Sequence, residues 1–111
     1  MEITLQVIDE QNEVEEKHFS VPFVPASTML AYFEIEEKIE NKKQLKPSEI
    51  KLYVDLIVKT FRNQFTAEEF FDGVPSHQLM GVITEFILSI NKDPYADKKG
   101  EPSGERQKTV N

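Results

Sequence analysis

Two segments of the chain repeat the same apolar pattern. Leu79, Val82, Ile83, Phe86, Ile87 and Ile90 fall at i, i+3, i+4, i+7, i+8 and i+11, which puts all six on one face of a helix. Ile50, Tyr53, Val54, Ile57, Val58 and Phe61 follow the same series, so the two helices are matched amphipathic partners. Thr66 with Glu69 forms a capping box that starts a short helix at Ala67 between them. Gly73 and Pro75 stop it, Gly by tolerating left-handed φ and Pro by restricting the residue before it, and Ser76 can cap the next helix. The helices are therefore expected at 47–63, with Pro47 in the first turn, at 67–73 and at 76–91.

The pattern changes to a period of two at the start of the chain. Ile3, Leu5 and Val7 alternate with polar residues, as do Phe19, Val21 and Phe23 over 14–23, which predicts an antiparallel hairpin over 2–23. Asp9-Glu10-Gln11-Asn12-Glu13 is its polar turn, with Asn12 best suited to positive φ. Pro22 and Pro25 mark the exit from the sheet, since neither can donate to a ladder. Ser27 or Thr28 then caps a helix over 28–41. Its apolar arc, Met29, Leu30, Tyr32, Phe33, Ile35 and Ile39, is too wide for a single stripe. Such an arc suits a helix wedged between two partners, or one that keeps an edge free for a binding partner. The fold class is α+β: an N-terminal antiparallel β-hairpin followed by three to four packed α-helices, forming one domain over 1–91. Residues 92–111 are polar and rich in Pro and Gly, and are expected to form a disordered tail.

Charge narrows the choice of partners. The 111 residues carry 13 basic and 20 acidic side chains, a net −7, and the segment 92–111 contributes +1, leaving −8 on the body. An acidic body repels phosphate backbones, which argues against nucleic acid as a partner. No apolar run approaches a membrane span, and Met1-Glu2-Ile3-Thr4 opens a strand and not a signal peptide, so a soluble, unprocessed protein is expected. The chain has no cysteine, which suits a reducing compartment.

Candidate chemistry is sparse. His18 and His77 are the only histidines, and no metal-ligand spacing or phosphate-cradling glycine motif is present, so no cofactor or metal is expected. Ser27, Ser48 and Ser76 precede helical patterns, and Glu68-Glu69 sits in a first helical turn, so capping and the helix dipole account for them. The pattern predicts no catalytic residue. An open hairpin edge would permit self-association.

Val21-Pro22-Phe23-Val24-Pro25-Ala26-Ser27-Thr28-Met29 and Asn63-Gln64-Phe65-Thr66-Ala67-Glu68-Glu69-Phe70-Phe71-Asp72-Gly73-Val74 resemble the tail assembly chaperones of long-tailed, siphovirus-type phages and prophages. The resemblance covers 1–91. It implies a non-enzymatic protein of the bacterial host cytoplasm that binds the tape-measure protein, keeps it soluble, helps recruit tail-tube subunits, and is absent from the finished virion. Tyr32, Phe33, Phe70, Phe71 and Met80 are the expected partner contacts. The family also implies a longer form made by −1 frameshifting. Lys98-Lys99-Gly100 can be encoded AAA AAG GGN, which contains the slippery pattern A AAG GGN. A small adaptor retained in a phage particle or other complex is the alternative reading.

Overall fold

The computed structural model describes residues 1–91. The expected tail at 92–111 and the slippery site at 98–100 lie outside them. Strands β1 (Glu2–Ile8) and β2 (Val14–Ser20) pair antiparallel, with Leu5 opposite Lys17. Helices α1 (Ala26–Lys38), α2 (Pro47–Thr60) and α3 (Ala67–Gly73) follow, then a 3₁₀ turn (Ser76–Gln78) that leads into α4 (Leu79–Ile90). This is the expected hairpin and helical layer.

The turn of the hairpin is organised by Asp9, whose carboxylate accepts the N–H groups of Gln11 and Glu13 at 2.8 and 2.9 Å. Asn12 takes the positive φ, 64°. β2 ends at Ser20, three residues before the expected end, because Pro22 has no N–H to extend the ladder. Val21 still bonds back to the Met1 carbonyl and is buried, whereas Phe23 turns out into solvent. Ile3 and Leu5 are buried, but Val7 is exposed, at a groove that it lines with Glu69 and Asp72 of α3.

α2 is the central element, with Tyr53, Val54, Leu56 and Ile57 buried and Phe61 just past its end. Ile83, Phe86 and Ile90 of α4 complete that side of the core, as the shared periodicity requires. Phe65, in the loop between α2 and α3, is the hub of an aromatic cluster. Its ring centroid stands 5.0 Å from Phe19 of the hairpin, 5.5 Å from Phe61 and 6.2 Å from Phe70 of α3. One side chain thus ties together the sheet, α2 and α3.

The helix ends depart from expectation in informative ways. α1 begins after Pro25 with no side-chain cap, and it ends three residues early because Ile39 turns into extended backbone and is buried. α2 stops at Thr60 in a Schellman turn: the Asn63 N–H reaches the Val58 carbonyl at 3.0 Å and the Arg62 N–H reaches Lys59 at 2.9 Å. Arg62 and Asn63 hold φ of 58° and 60°, so the left-handed position usually given to glycine is filled by arginine. Replacing Arg62 with glycine is expected to stabilise the domain by about 0.5–1 kcal/mol, read as a higher melting temperature. Ser76 makes no capping bond, and the residues after Pro75 form a 3₁₀ turn closed by the Gln78 N–H on the Pro75 carbonyl, 2.8 Å. The Thr66–Glu69 capping box forms as expected, with bonds of 2.8 and 3.0 Å.

Gly73 ends α3 for a reason other than left-handed φ. A β-carbon there would stand 2.9 Å from the Gln6 carbonyl oxygen and 3.1 Å from the Leu5 β-carbon, so glycine lets α3 lie directly against β1. Because backbone, not a flexible side-chain tip, blocks the site, Gly73→Ala is expected to cost about 1–3 kcal/mol in urea unfolding.

Candidate protein-binding surface

α1 packs on α2 along one side only. Thr28 and Ile35 point inward and are buried. Ala26, Leu30, Phe33 and Glu37, at i, i+4, i+7 and i+11, form a line facing water. Leu30 is 65% exposed and Phe33 50%. Glu34, also exposed, lies beside them. The wide arc of the sequence is therefore a helix with a free edge, not one wedged between two partners.

Polar contacts hold this helix in place. Thr28 serves as no cap; its hydroxyl meets that of Thr60 at 2.9 Å, and Thr60 in turn donates to the Leu56 carbonyl at 2.8 Å. Since Thr60 has one proton, Thr28 is the donor to it. Further along, the Tyr53 hydroxyl donates to one Glu36 oxygen at 2.5 Å and Lys42 pairs with the other at 2.9 Å. Burial, reinforced by Glu36, pushes the Tyr53 hydroxyl well above the usual phenol range. Burial alone would raise the Glu36 carboxyl, but the bonds from Tyr53 and Lys42 outweigh it and hold the group below its ordinary value of 4.5. A depressed carboxyl contributes stability that is present above 4.5 and disappears as pH falls through the lower folded value. Glu36→Gln is therefore expected to lower the melting temperature at pH 7 and to narrow the gap from wild type in acid, as thermal melts across pH 3–7 will show.

The five expected contacts separate by exposure. Phe33, Phe71 and Met80 are exposed and stand on three different helices, α1, α3 and α4. Tyr32 is half-buried, its ring 5.9 Å from Phe33 and 6.4 Å from Tyr53, so it backs the exposed ring and joins it to α2. Burial, followed by the nearby Glu36 charge, raises its hydroxyl pKa. Phe70 is 0% exposed, packed between Phe65 and an edge-on Phe71, and belongs to the core. Leu30, Phe23 and Leu88, none of them among the five, are all more than half exposed. Leu88, like Met80, is an apolar residue of α4 that falls off the shared stripe. Ile8 and Val14, paired across the strands, form a further apolar spot at the hairpin tip.

His18 pairs with the Thr4 hydroxyl across the hairpin at 2.9 Å, and among the described residues no three His, Cys, Asp or Glu side chains converge as metal ligands. Among these residues no helix is long and apolar enough to cross a membrane.

The exposed apolar side chains of α1, α3 and α4 are the candidate contacts for another protein. The model of the phage tail chaperone protein family matches residues 1–107, nearly the whole chain, and the chain belongs to that family. No curated protein and no solved structure matches it.

Proposed function

We propose that this chaperone binds the tape-measure protein in the cytoplasm of the bacterial host, holds it soluble, helps gather tail-tube subunits around it, and departs before the virion is complete. The observation that supports this most is the outward line of α1, where Leu30 and Phe33 stand in water beside Glu34 and Glu37. A long helical client with unpartnered apolar faces would be covered at that line, and the body's net −8 would keep the complex dispersed. Phe71 and Met80 are further contacts, and Tyr32 supports Phe33 from behind. The role calls for no catalytic group.

Particle composition tests the reading against that of a retained adaptor. A tagged copy of this chain should pull the tape-measure protein from infected-cell lysate and be missing from purified virions by mass spectrometry. Its presence in virions at fixed stoichiometry would favour the adaptor. The longer frameshifted form is part of the proposal, and codons other than AAA AAG at Lys98 and Lys99 would remove its slippery site.

A further inference from the structure

A groove of about 530 Å³ lies between the Val21–Pro25 segment, α1 and the C-terminal end of α2. Val21, Ala31 and Leu56 give it an apolar lining, Pro22 and Pro25 stiffen one wall, and Phe23 stands at its edge 56% exposed. Its ionisable lining residues are Lys59 and Arg62, with no carboxylate among them. The groove beneath the hairpin is lined by Glu69 and Asp72 as well as Lys17, and the groove between β1 and α4 by Glu2 and Glu85. On a body of net −8, the first groove is therefore a local reversal of charge.

Local structure explains one of these cations and not the other. Lys59 lies in the last turn of α2, where a cation complements the helix dipole. Arg62 lies beyond the helix in the left-handed cap position, which glycine fills with less strain. The ion pairs among the described residues are Lys42–Glu36 and Lys46–Glu40, and within those residues neither Lys59 nor Arg62 has a carboxylate partner. An arginine held there against backbone preference lines the groove together with an exposed phenylalanine and offers a charged fork to a carboxylate.

We infer that this groove binds a partner segment in which acidic residues flank apolar ones, the apolar side chains entering over Leu56 and Ala31 and the carboxylates meeting Lys59 and Arg62. A protein segment fits better than a nucleic acid, because the surrounding acidic body repels a phosphate chain, and two cations cannot offset that over its length. The surface is the chemical opposite of the acid-flanked line on α1, so one chaperone has separate places for two unlike partners. The inference stands on the groove and does not depend on the identity of the client at α1.

Fluorescence anisotropy with a labelled amphipathic Leu/Glu peptide, added to the full chain, tests it. The peptide should bind wild type, and its dissociation constant should rise about tenfold in Lys59→Gln/Arg62→Gly and also rise with salt. Arg62→Gly alone should melt at or above the wild-type temperature while binding more weakly, a split that a purely structural arginine would not give. Leu30→Ala/Phe33→Ala, which adds no charge to the helix beside the groove, should leave this binding unchanged. Four results would overturn the inference: no binding to wild type, equal binding to wild type and the groove variants, preferential binding of a labelled oligothymidine, or a free-chain dimer that the groove variants dissociate. The last would make a second copy the occupant.

Discussion

Phe70→Ala is expected to destabilise the domain by about 3–5 kcal/mol, the range for emptying a phenylalanine site in a packed core. Phe70 has no exposed surface and sits against Phe65, through which the hairpin, α2 and α3 meet, so the cavity opens at a junction of three elements. A loss of that size is a large part of the total for a domain, roughly 5–15 kcal/mol. Urea unfolding followed by circular dichroism measures it, and the soluble yield should fall with it. Phe71→Ala is the control. The Phe71 ring is partly in water, and its removal should cost about 1 kcal/mol or less. Equal losses at the two positions would contradict the placement of α3.

Leu30→Asp/Phe33→Asp should do the reverse, costing only about 1–2 kcal/mol of stability, from helix propensity and the new like-charge pairs with Glu34 and Glu37, and weakening tape-measure binding by about 2–4 kcal/mol, roughly 30- to 700-fold. Both side chains are at least half exposed, so the fold has little to lose when they change. An apolar contact with a client would lose its buried area and acquire two charges that must be desolvated. The partner affinity is read by isothermal titration with a tape-measure fragment. Thermal melts confirm that the variant is folded.

The parts of this fold that could be read in the sequence are those set by local rules. The stripe of α4 and that of α2 follow from a 3.6-residue period, and the Asn12 turn and the Thr66–Glu69 box follow from side-chain chemistry within a few residues. What escaped depends on contacts between distant segments. Thr28 looked like a cap because hydroxyls before helices usually are, yet the pairing with Thr60, 32 residues away, recruits it to the core. Gly73 looked like a helix breaker, and only the nearness of Gln6 shows that it is a gap kept for β1. Phe65 lies between two helices, where no period assigns it a face.

The candidate surface was less legible for the same reason. Adjacent Phe70 and Phe71 look equivalent in sequence, but a helix turns by about a hundred degrees per residue, so one enters the core and the other meets solvent. The breadth of the α1 arc allowed a wedged helix or a free edge. The position of α2, which decided it, is a tertiary fact. The groove at Lys59 and Arg62 had no linear signature, since its walls come from the Val21–Pro25 segment, α1 and the end of α2.

In the proposed function, this chain keeps the tape-measure protein soluble through the exposed line of α1. The most direct measurement is the soluble fraction of the tape-measure protein of the same phage when expressed alone, with the wild-type chain, or with Leu30→Asp/Phe33→Asp. The client should be soluble and co-purify with the wild-type chain and be insoluble in the other two cases. A well-expressed client left insoluble by the wild-type chain, in both its short and its longer frameshifted form, would contradict it.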